Sequence, residues 1–214
     1  MIVQTTADLL LLFVVLTDFV VLGVSRLSTC IRAIAWQGVV LGLLPLVLAG
    51  SISTHVFFLA AGTIAVKAVV LPRLLRWAMR EAKVRREVEP LIGYLGSLLL
   101  GVLALGVAFA VATRLPAVPG NDLLIPMALA SVMIGLVVLI TRGKAITQVV
   151  GYLILENGVY LFGLTQTSRV PFLIEIGVLL DVFVGAFIMG IVVFHINREF
   201  DSISSAQLTE LRES

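Results

Sequence analysis

The chain has 214 residues, of which 60% are hydrophobic and 13% charged, with a formal net charge of +2 and a mean hydropathy of +1.14. A water-soluble domain needs a polar surface, and this composition lies well outside the range of such domains. The composition therefore excludes an ordinary soluble protein and predicts an integral membrane protein.

Apolar runs of about 20 residues recur along most of the chain, each long enough to cross a hydrocarbon layer of about 30 Å. They are too long for barrel strands and lack the alternation of barrel strands, so we predict an all-α, polytopic membrane helix bundle. The first run has no basic residue before it and no small-residue cleavage pattern, which favours a retained helix over a signal peptide. The seven predicted spans are 7–25, 31–49, 54–77, 91–113, 122–141, 145–165 and 171–195.

The basic residues predict the orientation, because twelve lie on one side of the spans and only Arg114 and Arg169 on the other. The positive-inside rule then puts the N terminus outside and the C terminus in the cytoplasm. The cluster at 73–86 alternates with acids beside a span, which favours contact with lipid head groups over nucleic-acid binding. The twelve are Arg26, Arg32, Arg73, Arg76, Arg80, Lys83, Arg85, Arg86, Arg142, Lys144, Arg198 and Arg212.

Ionisable residues within the spans are concentrated in helices 1–3 and 5–7, which predicts two three-helix units joined by the fourth helix. We assign 1–90 to an N-terminal unit with a basic cytoplasmic loop, 91–120 to the connector, 121–197 to the second unit and 198–214 to a tail. The pair Gln37-Gly38 resembles Asn157-Gly158, as a parallel repeat would require. The fourth and fifth spans are expected to be scaffold or lipid-facing helices.

Three charged residues are expected near the middle of the bilayer. Glu156 and Asp181 lie about eleven residues into their spans and Lys67 about fourteen into its own, at about 1.5 Å per residue. Insertion of one ionised residue at the helix centre costs roughly 2.5–3.5 kcal/mol, so such residues normally face a bundle interior or a wet cavity and carry ions or protons. The alternative is a structural ion pair that only locks helices together.

A polar stripe is predicted around Glu156, because Gln148, Tyr152, Glu156 and Tyr160 are spaced by four and share one helix face. The alternative is a tyrosine-rich packing face with one buried acid. Gly62 and Pro72 flank Lys67 in sequence and can loosen helical hydrogen bonding, which favours a wet site.

Glycines near the other polar positions predict close approach between helices. Gly177 and Gly185 flank Asp181 by one turn on either side, and Gly38 with Gly42 forms a GxxxG pair.

Four further residues are possible accessory groups of a relay. Asp18 lies inside the first span and either joins the relay or is capped locally. Glu175 follows Pro171, where a helix N terminus also favours an acid. His55 and His195 lie at opposite membrane surfaces and are either proton gates or interfacial residues.

The single cysteine, Cys30, has no partner for a disulfide and no metal-ligand spacing. We also find no glycine-rich phosphate loop, no Cys or His cluster and no nucleophile elbow in the sequence. We therefore expect no cofactor in this chain and assign any redox chemistry to another chain.

A family resemblance appears in the segment from Gly151 to Gly158, in Glu175-Ile-Gly177 leading to Asp181, and in Lys67 with Pro72 five residues later. Together these resemble hydrogenase-4 component E, a membrane subunit of formate hydrogenlyase-type energy-converting hydrogenases. The last three spans also resemble subunit K (4L-type) of complex I and the C subunit of Mrp-type antiporters.

The resemblance implies two membrane carboxylates that take part in ion translocation beside antiporter-like subunits and a peripheral hydrogenase arm, in a prokaryotic inner or plasma membrane. It places [NiFe] and iron–sulfur centres in partner subunits. The chain departs from its relatives at two points: the first family glutamate falls at Leu153, whereas the acid here is Glu156, and Asp181 replaces the second.

The resulting hypothesis is a non-catalytic subunit in which Glu156, Asp181 and Lys67 form a station for protons or sodium ions. Two alternatives remain open: a stand-alone cation-coupled transporter, and a purely structural spacer between antiporter-like subunits.

Overall fold

Helices make up nearly all of the computed structural model, which describes residues 2–49, 54–81, 91–115, 121–165, 180–181 and 183–190. No element within these ranges is a strand. In the described ranges, six helices are long and apolar enough to cross a membrane. The predicted all-α, polytopic bundle is therefore confirmed.

The third span is continuous but changes its helix type around Lys67. An α-helix runs to Thr63, a π-helical segment follows, and an α-helix resumes at Leu71. We call residues 180–181 and 183–190 the C-terminal segment; it is helical, and the rest of the predicted seventh span lies outside the described residues. The elements are α1 (Ile2–Gly23), α2 (Leu27–Leu48), α3 (Thr54–Thr63), the π segment (Ile64–Val70), α4 (Leu71–Glu81), α5 (Gly93–Ala112), α6 (Leu124–Thr141) and α7 (Ala145–Leu164).

The first six of the seven predicted spans agree with these helices to within five residues at every end. The largest differences are extensions: α1 begins at Ile2 rather than 7, α2 at Leu27 rather than 31, and α4 continues to Glu81 rather than 77. Helical hydrogen bonds lie within the segment, so a helix can continue past the apolar stretch into its polar flank. Hydropathy therefore locates the apolar part of each helix better than its ends.

Glycines bring α6 and α7 into backbone contact. A Cβ on Gly135 would lie 2.4 Å from Leu155 N, and one on Gly158 would lie 2.6 Å from Val132 N. Gly151 makes the same kind of contact with Leu139 N, at 2.6 Å. These contacts fix the position of α7, the helix that carries Glu156.

The close packing predicted at the GxxxG pair of α2 is confirmed, and its partner is the third span. A Cβ on Gly38 would lie 2.6 Å from the carbonyl carbon of Lys67 and 2.7 Å from Ala68 N. One on Gly42 would lie 2.3 Å from a side-chain carbon of Ile64 and 2.9 Å from Ala60 O. The missing side chains therefore allow the backbone at Lys67 to approach α2 directly.

The fourth and fifth spans differ, although both were expected to be scaffold or lipid-facing. In α5 only small residues are buried (Ser97, Gly101, Ala104 and Ala108), and its leucines are largely exposed. In α6 most of the helix is buried between α1, α5 and α7. The lipid-facing interpretation is wrong for the fifth span, because an apolar helix without charges suits a bundle centre as well as a lipid surface.

Arg142, which the charge count placed at the cytoplasmic surface, is buried with 1% of its surface exposed. Its guanidinium donates hydrogen bonds to Val21 O (3.2 Å) and Leu22 O (3.0 Å) at the end of α1. Desolvation by burial lowers the pKa of this guanidinium. Arg142 thus satisfies carbonyls that the last turn of α1 leaves without helical partners.

Replacing Gly38 by Ala should destabilise the bundle by about 1–3 kcal/mol, because the added methyl group meets backbone atoms that cannot rotate away. The thermal unfolding midpoint of the purified chain in lipid nanodiscs measures the effect. Gly106→Ala on α5 is the matched control, since nothing lies within 4 Å of a Cβ there. Equal midpoints for the two variants would show that α2 and the π segment do not touch.

Candidate functional site

Lys67 lies in the middle of the π segment and is 3% exposed. The segment ends with a hydrogen bond from Leu71 N–H to Val66 O, five residues earlier, which is the π-helical pattern. π-Helical turns are rare and often mark functional sites. The helix between Gly62 and Pro72 therefore departs from α-geometry, and the wet site expected there stays a prediction.

The ammonium group of Lys67 lies between the two predicted acids. Its Nζ forms an ion pair and hydrogen bond with Glu156 Oε2, and a second ion pair with Asp181 Oδ1 at 3.1 Å. Glu156 is fully buried and Asp181 is 4% exposed. The structure thus joins three charged groups that are 25 or more residues apart in sequence, one from each of three helices.

A polar shell surrounds this triad of Lys67, Glu156 and Asp181. Lys67 Nζ also donates to Asn157 Oδ1 at 3.3 Å and lies 5.7 Å from the centre of the Tyr160 ring, within reach of a cation–π interaction. The Tyr160 hydroxyl is 3.5 Å from Thr63 Oγ1. These contacts place Tyr160 beside the ammonium group, as the predicted polar stripe requires.

One oxygen of the triad lacks a protein donor. Among the described residues, none donates a hydrogen bond to the buried Glu156 Oε1. A buried carboxylate oxygen without a donor is unfavourable by about 1–3 kcal/mol or more. A bound water that donates to this oxygen would remove the penalty.

A chain of hydrogen bonds extends from Lys67 to the opposite side of the bundle. Asn157 Nδ2 donates to Gln37 Oε1 (3.0 Å), and Gln37 Nε2 donates to Asp18 Oδ1 (2.5 Å). Ser131 Oγ donates to Asp18 Oδ2 at 2.7 Å. All of these side chains are at most 3% exposed, so the chain is buried along its whole length.

Asp18 is therefore not capped locally, because both of its carboxylate oxygens accept from other helices. Gln37 and Asn157, the two positions on which the repeat hypothesis rests, hydrogen-bond to each other. The repeat itself stays a prediction.

Two cavities approach the triad from opposite ends of α7. One of about 180 Å³ is lined by Phe58, Thr63, Lys67, Tyr160 and Asp181, among others, on the side predicted to be external. The other, of about 370 Å³, is lined by residues that include Gln148, Tyr152 and Phe187 on the predicted cytoplasmic side. The first cavity is thus lined by two residues of the triad, whereas the second reaches Tyr152, one turn of α7 from Glu156.

The structure does not bring every predicted residue into this site. Gln148 is exposed, and its Nε2 donates to Arg142 O at 3.1 Å, away from the triad. The side chain of His55 lies outside the described residues, and so do Glu175 and His195.

Sequence reasoning missed the roles of Gln37, Ser131 and Thr63. Neutral polar side chains are common in membrane helices, so their presence alone did not distinguish them. A depth argument could have found Gln37, since it lies ten residues into α2, in the same layer as Glu156 of α7. Within the described ranges, no group of three or more His, Cys, Asp or Glu side chains could hold a metal ion.

Comparison with known proteins gives one strong and several distant relatives. The chain is 34% identical over 206 residues to the uncharacterized protein Rv0085 of Mycobacterium tuberculosis, covering 93% of this chain and 92% of that protein. It is 26% identical over 155 residues to hydrogenase-4 component E of Escherichia coli K12, covering 72% of each chain, and matches the Shigella flexneri protein equally. No family model and no solved structure matches the chain.

Lys67→Met should destabilise the chain by about 3–5 kcal/mol, because it leaves two buried acids without their cation. The triple variant Lys67→Met/Glu156→Gln/Asp181→Asn should recover most of this loss, since no unpaired charge then remains. Thermal unfolding in nanodiscs compares both with Lys144→Met, a change at an exposed lysine. A triple variant no more stable than Lys67→Met would show that the acids do not depend on Lys67.

Proposed function

The chain belongs to the family of the uncharacterized protein Rv0085, and we propose that it is a membrane subunit of a hydrogenase complex, as its distant similarity to hydrogenase-4 component E suggests. Within that complex it would contribute an ion-translocating station to redox-driven transport of protons or sodium ions. The observation that carries this proposal is the buried triad of Lys67, Glu156 and Asp181.

Several properties of the triad support translocation. Two carboxylates compete for one ammonium group, so movement of Lys67 toward one acid weakens its hold on the other. The acid left behind then has a higher affinity for a proton or a small cation. A structural ion pair would need only one carboxylate. The second acid allows Lys67 to exchange one carboxylate partner for the other.

The cavities supply access in this scheme. An ion that enters from the cavity at Thr63 and Tyr160 reaches Asp181 and Lys67. The cavity at Gln148 and Tyr152 reaches the turn of α7 that precedes Glu156. Alternate pairing of Lys67 with the two acids would then pass one ion between the two cavities in each cycle.

The proposed partners are antiporter-like membrane subunits and a peripheral hydrogenase arm in a hetero-oligomeric complex of a prokaryotic cell membrane, together with membrane lipids. The [NiFe] and iron–sulfur centres of such a complex would lie in those partners. Resemblance of the last three spans to complex I subunit K and the Mrp C subunit remains part of this proposal. We propose no contact with nucleic acid.

Glu156→Gln or Asp181→Asn should leave the complex assembled and lower its ion transport about tenfold or more. The substitutions keep the size and the hydrogen bonds of the side chain but remove the ionisable oxygen, and loss of an essential proton-transfer group typically costs 10²–10⁴-fold. Transport driven by the redox reaction is measured in inverted vesicles, with subunit composition checked by mass spectrometry.

The matched control is Glu81→Gln, which changes an exposed acid at the end of α4. Unchanged transport in an intact complex that carries Glu156→Gln or Asp181→Asn would favour the structural spacer. Transport by the purified chain alone in liposomes would favour the stand-alone transporter. Recovery of the chain without a [NiFe] large subunit from its native membrane would contradict the hydrogenase assignment.

A further inference from the structure

The hydrogen-bond chain between Lys67 and Asp18 has one direction, and Lys67 determines it. An ammonium group only donates, so Asn157 must present Oδ1 to Lys67 and Nδ2 to Gln37. Gln37 must then present Oε1 to Asn157 and Nε2 to Asp18. Asp18 Oδ1 is thereby required to accept, which a carboxylate does best.

We propose that Gln37 and Asn157 form an amide switch that couples the protonation of Asp18 to the charge and position of Lys67. Asp18 would thus be a third proton-binding acid of the station, beside Glu156 and Asp181, with the two amides as positioning residues. This inference extends the proposed ion path, but it concerns coupling within the chain and can be tested without a transport assay.

The opposite orientation of the switch can keep the hydrogen bonds along the chain, but it gives up the bonds to Val14 O from Gln37 Nε2 (3.2 Å) and from the Thr17 hydroxyl (2.7 Å). If Lys67 withdraws or loses its proton, Asn157 can turn and accept from Gln37 Nε2. Gln37 Oε1 then faces Asp18 and Thr17, whose oxygens now lie 2.5 and 2.8 Å from Gln37 Nε2. A proton on Asp18 and the rotatable Thr17 hydroxyl can both donate to Oε1, whereas an ionised Asp18 would repel it.

The switch carries no proton itself, because an amide that turns moves only its own hydrogens. When Lys67 is present as an ammonium group in contact with Asn157, Asp18 Oδ1 must accept a hydrogen bond, which favours the carboxylate. When that contact is lost, the protonated form of Asp18 gains an acceptor in Gln37 Oε1, and at equilibrium the proton comes from bulk water. Contact of the Lys67 ammonium group with Asn157 therefore lowers the affinity of Asp18 for a proton. The coupling is reciprocal, so a proton on Asp18 weakens that contact.

The hydrogen-bond chain through Asn157 and Gln37 is the polar link between Lys67 and Asp18. Gln37 and Ser131 face Asp18 from α2 and α6. The titratable groups that the elements packed against α1 contribute in the described ranges are Cys30, Arg32, Tyr94 and Arg142, which lie near the predicted cytoplasmic ends of their helices. Lys67 faces Glu156, Asp181 and Tyr160.

The test needs a change at Lys67 that alters the amide direction but not the net charge. Lys67→Met/Glu156→Gln meets this need, because it removes one positive and one negative group together; we call it the neutral-pair variant. Infrared titration of the full chain in nanodiscs then follows the C=O band of protonated Asp18, identified by its loss in Asp18→Asn.

In the neutral-pair variant the Asp18 band should persist to a pH higher by about one unit or more, since the amides are free to turn Oε1 toward Asp18. The same pair of changes made in a Gln37→Leu background should leave the Asp18 titration unmoved. A Gln4→Leu background, which alters an exposed glutamine near the start of α1, should keep the full shift.

Two results would overturn the proposal: an Asp18 titration that is equal in the parent and the neutral-pair variant, or a shift that persists undiminished in the Gln37→Leu background. Asn157→Ala breaks the same chain at its other amide and replaces Gln37→Leu if that variant does not fold. Because the readout is the Asp18 band, a failed switch and a failed transport role give separate results.

Discussion

The attraction of two buried carboxylates for one ammonium group is the interaction on which the rest of this bundle depends. Three charges in a hydrocarbon environment are tolerated only when they satisfy one another and their polar neighbours. That condition brings the third span, α7 and the C-terminal segment together at Lys67. The helix departs from α-geometry at this same residue.

Neutral polar groups extend this centre through the bundle. The hydrogen-bond chain includes Ser131 of α6, Gln37 of α2 and Asn157 of α7. Each of these side chains forms a hydrogen bond with the next polar side chain along it. Fully paired networks of this kind specify one arrangement of helices, since a displaced helix would leave polar groups unpaired in an apolar interior. The polar chain thus selects which helix faces meet, and the apolar residues fill the remaining space.

The sequence alone was sufficient for the first six helices, because long apolar runs are strong signals, and the rarity of charges within the spans singled out the three residues that meet at Lys67. It was not sufficient for the hydrogen-bond partners of Asp18. Periodicity predicts the depth of a residue and the side of its helix on which it lies, but not which neighbouring helix packs against that side. Arg142 shows a second limit, since a charge count treats every basic residue near a span end as exposed, whereas this one is buried against α1. Orientation in the membrane and the repeat stay predictions.

The glycine contacts have a consequence for the timescale of motion. Gly38 holds α2 against the backbone of the third span, and Gly135, Gly151 and Gly158 hold α6 against α7, so a helix that slid along its neighbour would drive main chain into main chain. Rearrangement within these two helix pairs is thereby limited mainly to side-chain torsions. Such torsions are intrinsically faster than the microsecond-to-millisecond sliding of whole helices. Slower steps of a cycle would then come from elements outside the two pairs, among them the C-terminal segment that carries Asp181, where, among the described residues, a Cβ on Gly185 would meet only a side-chain carbon of Leu74, at 3.8 Å.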